Sequence, residues 1–186
     1  MVKYLKKRKS TKGDAKMSET MRSILNRRST RSYMPAQITD EQRDAIINAG
    51  RWAPTARNAQ EISIACVQDK ALLDRLVADF AGGKPGPGFN YGAPTLFLLY
   101  GPKDFPYTQM DSGITVENMA LAAETLGLGS VIIGCIRDFM NGEHGEGWRA
   151  CFGIGADSVF TIALAVGTVK VPTPPKDREP GRVSYF

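Results

Sequence analysis

The stretch TQMDSGITVENMALAAETLGLGSVIIGCI, residues Thr108 to Ile136, holds the order of elements that decides the fold. Val116, Met119, Ala120, Ala123 and Leu126 recur at helical spacing and predict a long helix over Thr108–Leu126. Ala120, Ala122 and Ala123 suit close packing on one of its sides. Gly127-Leu128-Gly129 ends the helix, and Ser130–Ile136 reads as a buried strand. A single G-x-G leading from a helix into a strand is the reverse of a dinucleotide fingerprint, which follows a strand and opens a helix. A Rossmann fold is therefore excluded.

Upstream, Ser18 to about Arg28 reads as a short helix, with Met21, Ile24, Leu25 and Arg28 on one face. Thr39 and Gln42 form a capping box for the next helix, and Asp40 and Glu41 put negative charge in its first turn. That helix stops near Trp52 because Pro54 follows. Glu61–Val67 alternates as a strand, Lys70–Phe80 carries a helical stripe, and the Gly/Pro-rich Ala81–Gly92 is loop. Pro94–Tyr100 is a buried strand by composition. Downstream come a polar loop at Asn141–Gly147, a short helix around Trp148–Phe152, a last strand at Val159–Val169 and a Pro-rich arm, Pro172–Phe186. Helices alternating with strands predict a sheet covered by helices on both faces. The arm is too long and too poor in turns for a compact monomer, and a second copy of the chain is the simplest thing for it to embrace.

Of 186 residues, 42% are hydrophobic and 23% charged, the balance of an ordinary soluble domain. The net charge of +5 is misleading, because residues 1–16 set seven Lys or Arg against Asp14 and leave residues 17–186 at −1. The expected organisation is a basic, disordered tail over 1–16 and one domain over 17–186. The folded part gives no bulk electrostatic case for nucleic acid; a nucleic-acid or membrane contact is expected only if the tail is functional. The tail lacks the apolar run of a signal peptide, and Cys66, Cys135 and Cys151 suit neither a disulfide framework nor a zinc site. No metal is expected, and a reducing cytoplasm is the expected location.

Four segments can carry chemistry. Arg27-Arg28-Ser29-Thr30-Arg31 sits at a helix exit, where guanidinium forks and a hydroxyl can converge on one dianion; solvated surface charge is the alternative. In Pro54-Thr55-Ala56-Arg57-Asn58-Ala59-Gln60, small side chains let the backbone lie against a flat ligand, and the two amides can bond ring heteroatoms. An ordinary loop would use the same residues to satisfy its own backbone. Gly134, after β-branched Ile132 and Ile133, marks close approach by a ligand, a bulge or a packing glycine. Lys176 and Arg178 form a cationic pair on the arm. His144 reads as a surface-loop residue, and Cys135 as a buried small hydrophobe. No catalytic side-chain set is visible.

Taken in order, Arg-Arg-Ser-x-Arg, Ala-Pro-Thr-Ala-x-Asn-x-Gln, Asp111, Leu-Gly-Leu-Gly-Ser (126–130), Ile-Ile-Gly (132–134), Gly-Thr-Val (167–169) and Lys176-x-Arg178 resemble the nitroreductase family of flavoenzymes, over about residues 18–180. The resemblance implies an α+β fold: a three-layer α/β/α sandwich on a mixed, mostly antiparallel sheet, with the C-terminal arm exchanged across a homodimer and FMN at the interface. It implies that Arg27, Arg28, Ser29 and Arg31 meet the phosphate, ribityl chain and pyrimidine edge, and that Lys176 and Arg178 approach the phosphate. Pro54, Thr55, Ala56 and Asn58 would come from the partner beside the ring, with Gln60 near them and Ile133 and Gly134 close to flavin N5. The implied reaction carries two electrons from NADH or NADPH, by a ping-pong route, to nitroaromatics, quinones or related small acceptors. The flavin itself carries the chemistry. Alternatives on the same fold are a reductive dehalogenase or a flavin-fragmenting enzyme, and a further one is a non-catalytic flavin-binding redox module. The sequence departs from the family where Glu61-Ile62 replaces the usual Pro-Trp after Gln60, which removes an aromatic packing element beside the site.

Overall fold

A computed structural model describes residues 17–82, 84, 86, 88–176, 178, 181 and 183–186; the basic tail expected over 1–16 lies outside them. Among the described residues six helices, α1 (Glu19–Asn26), α2 (Asp40–Arg51), α3 (Lys70–Ala81), α4 (Thr108–Thr125), α5 (Arg137–Asn141) and α6 (Glu146–Cys151), accompany four strands, β1 (Ser63–Val67), β2 (Thr95–Pro102), β3 (Gly129–Ile133) and β4 (Ser158–Gly167). Local chemistry sets most of the boundaries. Thr39 and Gln42 bond each other's backbone at the start of α2, the expected capping box. Asp69 caps α3 by accepting from the Leu72 N–H at 2.8 Å, and Gly82 closes that helix in the left-handed conformation. At the end of α4, Gly127 takes φ +72° while the Leu128 N–H reaches back to the Ala123 carbonyl at 2.9 Å, a Schellman closure. That closure turns the chain directly into β3.

The sheet runs in the order β1-β2-β4-β3, and its three strand pairings are all antiparallel. The parallel component of the expected mixed sheet is confined, among the described residues, to one isolated bridge between Ser29 and Ser130. The sheet has helices on both faces. Phe97, Leu99, Leu164 and Val166 pack with Ile46 of α2 and Val116, Met119 and Ala120 of α4. Leu96, Leu98, Ala163 and Ala165 pack on the other side with Leu73 and Leu76 of α3, Met140 of α5 and Trp148 of α6. Alternate residues of β2 and β4 thus serve opposite cores, as the two-residue repeat of a strand requires. The three-layer α+β reading holds.

The structure corrects two details and adds a third. The strand expected over Ser130–Ile136 ends at Ile133, and the chain enters α5, a helix with too few turns for its periodicity to register. The apolar stripe of α1 does not face the core: Met21, Ile24 and Leu25 are about half exposed (47%, 46% and 50%), and Ser23 is the residue of that helix that is buried. Cys135, expected to be buried, is exposed because it follows the end of β3. His144 lies exposed in a short turn, as its loop sequence suggested. No described helix is long and apolar enough to cross a membrane.

Candidate functional site

The arginine segment is fixed from both sides. The Thr30 N–H donates to the Ser130 carbonyl at 2.9 Å, and Ser29 and Ser130 form the parallel bridge, so the segment lies along the start of β3. This approach needs a glycine at 129, where a Cβ would stand 2.5 Å from Thr30 Oγ1 and 2.7 Å from Val169 Cγ2. Farther along, Tyr33 bridges to Val169, its hydroxyl donates to the Thr30 carbonyl at 2.9 Å, and burial drives its pKa well above the usual tyrosine range. The far end of the chain returns to the same place: Thr173 Oγ1 donates to the Ser29 carbonyl at 3.0 Å. Lys176 and Arg178 follow three and five residues later, and both are exposed.

The cations differ in how free they are. Arg27 Nε lies 3.6 Å from a Glu117 carboxylate oxygen of α4. Arg28 turns its Nη1 onto the carbonyls of Leu25 (2.6 Å) and Arg27 (2.8 Å). Those two bonds leave its Nε and Nη2 donors uncommitted. The guanidinium of Arg31 lies over the Tyr91 ring, 5.6 Å from its centre. Among the described residues, neither Arg28 nor Arg31 meets a carboxylate within ion-pair distance. A half-buried, unpaired Arg28 beside Arg31 and the Ser29 hydroxyl has the donor chemistry of a phosphate site. Gly134 completes this side: a Cβ there would meet nothing within 4 Å, so the close-packing reading of that glycine falls away and its face is open.

The Pro54–Gln60 segment forms a second cluster. It is bent tightly, with Arg57, Asn58 and Gln60 at φ 57°, 53° and 54°. Three non-glycine residues in the left-handed region within four positions is a costly backbone, and it persists only where something holds it. Both carboxylate oxygens of Asp111, which is 4% exposed, stand 3.1 Å from the Ala56 N–H. Thr55 Oγ1 accepts from the Gln60 N–H at 3.0 Å, and the Gln60 side-chain amide donates to Asn58 Oδ1 at 3.1 Å. Arg57 stacks over Tyr107, just before α4, at 5.8 Å. Asp111 was visible in the sequence only as part of a pattern. Its signal was a carboxylate on the helix side that also carries Thr115, Met119 and Ala123, where a charge needs a partner.

Within one chain the predicted residues therefore form two groups. Arg27, Arg28, Ser29 and Arg31 lie with the start of the arm beside the start of β3, and Ile133 and Gly134 lie at the other end of that strand. Pro54, Thr55, Ala56, Asn58 and Gln60 gather at the start of α4. Among the described residues no hydrogen bond or ion pair joins the two groups.

Comparison with known proteins agrees with this architecture. The nitroreductase family model matches residues 24–90 and 83–168. A curated relative from Archaeoglobus fulgidus, named provisionally as an NADH dehydrogenase/NAD(P)H nitroreductase, is 30% identical over 83% of this chain and 87% of its own. The FMN reductase [NAD(P)H] of Bacillus subtilis is 32% identical over 65% of this chain. The match spans 56% of that enzyme, little more than half its length. Among solved structures, a nitroreductase with bound FMN from Desulfitobacterium hafniense superposes with a TM-score of 0.82 at 25% identity, covering 91% of this chain and 99% of its own. The class is that of α+β proteins with an arginine segment docked on the sheet edge and a strained loop at the start of the central helix. The chain belongs to the nitroreductase family.

Proposed function

We propose that the chain is an FMN-dependent oxidoreductase, working as a homodimer, that passes two electrons from NADH or NADPH to small acceptors such as nitroaromatics and quinones by a ping-pong route. The observation that carries the reading is the convergence at Ser29. Its segment brings Arg27, Arg28 and Arg31, and its carbonyl receives Thr173 of the arm that bears Lys176 and Arg178. The arm that carries cations at the far end of the sequence is thus tied to the arginine segment, and Arg28 and Arg31 have no acidic partner among the described residues. The names of the relatives support the same reading, since one pairs FMN with NAD(P)H and another is a nitroreductase with bound FMN.

When bound, FMN would accept a hydride from the nicotinamide and pass two electrons on; the protein supplies the surroundings. Arg28, Ser29, Lys176 and Arg178 would hold the phosphate, with Arg27 and Arg31 beside them, and Arg31 offers positive charge toward the pyrimidine edge. Gly134 leaves its face open, so with Ile133 it would border the reactive part of the ring without covering it. Pro54, Thr55, Ala56, Asn58 and Gln60 cannot reach the arginine cluster of their own chain through any described contact. A second copy would bring them there. The apolar surface fits such a partner: Met21, Ile24 and Leu25 of α1 and Met110 and Ile114 of α4 are 42–57% exposed, and Trp52 is 80% exposed. Large apolar side chains left outside on adjoining helices mark an interface. The exchange of the C-terminal arm belongs to the same proposal, as does a reducing cytoplasm for three free cysteines.

The test is direct. The purified chain should be yellow, its FMN should bleach on anaerobic titration with NADH or NADPH, and a quinone or nitroaromatic should restore the colour. A colourless protein that FMN cannot reconstitute sinks the proposal. Replacing Arg28 and Arg178 together by Gln should release FMN and leave a folded dimer by sedimentation; full retention refutes the phosphate clamp.

A further inference from the structure

The turn that leads into β2 carries a backbone strain of its own. The Ala93 N–H donates to the Asn90 carbonyl at 3.0 Å, and between them Tyr91 and Gly92 take φ 55° and 72°. A tight turn with both central residues left-handed favours Asn, Asp or Gly at the first of them and Gly at the second. Gly92 conforms; a tyrosine at 91 does not, and it holds a conformation that is costly for its side chain. Asn90 fixes the turn in that shape. It is 6% exposed, its Nδ2 donates to the Ala93 carbonyl at 3.2 Å, and its Oδ1 accepts from the Gly92 N–H at 3.3 Å. Phe89, also buried, anchors the preceding residue edge-to-face on Phe80 of α3, with ring centres 5.3 Å apart.

The strained position places an aromatic ring at the arginine segment. Tyr91 is half-buried against the core on the α3 side of the sheet, and the Arg31 guanidinium lies over its face, 5.6 Å from the ring centre. Arg31 Nη1 also donates to the Ser29 carbonyl at 3.4 Å, and no carboxylate stands within ion-pair distance of Arg31 among the described residues. Tyr33 nearby adds no negative charge, because burial holds its proton. A ring in place of a carboxylate has a chemical consequence. A carboxylate would hold the guanidinium and cancel its charge. An aromatic face holds the planar group and leaves both its charge and its edge donors available.

We propose that Tyr91 is a positioning residue of the flavin site, which seats Arg31 against the pyrimidine edge of FMN as a cation with its charge intact. Arg31 faces that edge under the FMN reading above, and the role of Tyr91 rests on that reading. Negative charge gathers at the pyrimidine edge when the flavin is reduced, so a fixed cation there favours the reduced cofactor over the oxidised one. Tyr91 acts through Arg31: without the ring the long arginine side chain spreads over many rotamers, and its charge is no longer held at one place.

The experiment measures the midpoint potential of FMN bound to the full purified chain, by anaerobic equilibration with a reference dye. Tyr91→Asn suits the left-handed backbone but removes the ring, and should lower the potential by the equivalent of a ~5-fold loss in preference for reduced over oxidised FMN. Tyr91→Phe keeps the ring and should match the wild type. Arg31→Gln should lower the potential at least as far, and adding Tyr91→Asn to it should change nothing more. Tyr91→Leu, which keeps apolar bulk, gives the same test if the asparagine variant fails to fold. A purely structural tyrosine would move the urea midpoint and leave the potential where it was. The assignment is overturned if Tyr91→Asn changes the preference by less than ~2-fold, or if its effect adds in full to that of Arg31→Gln. A phenylalanine variant that behaves like the asparagine one overturns it too, since the hydroxyl and not the ring would then matter. Flavin absorbance of the same samples separates the two proposals. A yellow protein whose potential is indifferent to Tyr91 overturns this role and leaves the FMN reading standing; a colourless chain that FMN cannot reconstitute overturns both.

Discussion

Replacing Asp111 by Ala tests what holds the turn over Ala56–Gln60 in shape. The turn sets Arg57, Asn58 and Gln60 at positive φ, a backbone cost of ~1 kcal/mol each at the low end for non-glycine residues. Against that cost stand three contacts: the Asp111 carboxylate on the Ala56 N–H, Thr55 on the Gln60 N–H, and Gln60 on Asn58. The first involves a buried charge in the first turn of α4, where the helix dipole favours a carboxylate. A charged hydrogen bond of this kind contributes ~1.5–3 kcal/mol, the two neutral ones ~1 kcal/mol each. Asp111→Ala should therefore cost ~2 kcal/mol of unfolding free energy and let the turn relax. Asp111→Asn, whose oxygen still accepts, should recover about half. The assay is urea unfolding at fixed protein concentration, with hydrogen exchange read at the Ala56 and Gln60 amides. Both amides should exchange faster in the alanine variant. A loss below ~0.5 kcal/mol with unchanged exchange would refute the reasoning. An asparagine variant more stable than the wild type would show that the carboxylate's burial outweighs its bond.

Three further outcomes follow from other contacts. Gly129→Ala places a Cβ within 2.7 Å of both Thr30 and Val169, and should cost ~1–3 kcal/mol and weaken FMN binding by shifting the arginine segment; unchanged unfolding and unchanged flavin affinity would argue against the docking described. Ser112 carries a fully enclosed hydroxyl with no partner among the described residues, so Ser112→Ala should stabilise the chain by ~1 kcal/mol, read as a higher urea midpoint at equal slope. Burial raises the Cys66 thiol from 9.0 to about 11, so the folded chain holds that proton more tightly than the unfolded one. Its contribution is complete below pH 9 and is lost as the pH climbs to about 11; Tyr33, also raised by burial, acts in the same direction at still higher pH. Cys66→Ala should flatten the stability profile above pH 9, and an identical slope in the variant would discount the thiol.

Much of this architecture was legible in the letters because local signals agreed with one another. The α2 capping box and the Gly127 closure each depend on near neighbours, and each appears where the sequence put it, while β2 was legible by its apolar composition. Other features lie beyond local pattern. The α1 stripe has helical spacing, but spacing cannot say that Met21, Ile24 and Leu25 stay about half exposed on this chain. Cys135 was misplaced because the end of β3 is set by the turn into α5.

The site was legible in part, and the division has a physical basis. Arginines, a serine and amides advertise their chemistry by type, so Arg27–Arg31 and Asn58–Gln60 stood out. What holds them does not advertise itself. Thr173 reaches Ser29 across 144 positions, and Asp111 reaches Ala56 across 55, through a fold that only the sheet order supplies. Nor does the side-chain type at 57, 58 and 60 foretell three left-handed residues; only the asparagine is at home there. Such a turn is stable because the contacts around it over-determine it. The burden of holding it falls on Asp111 and Thr55. If Thr55→Ala speeds hydrogen exchange at the Gln60 amide while Ala56 keeps its protection, the two contacts hold opposite ends of the turn independently; if both amides lose protection together, the turn opens as one unit.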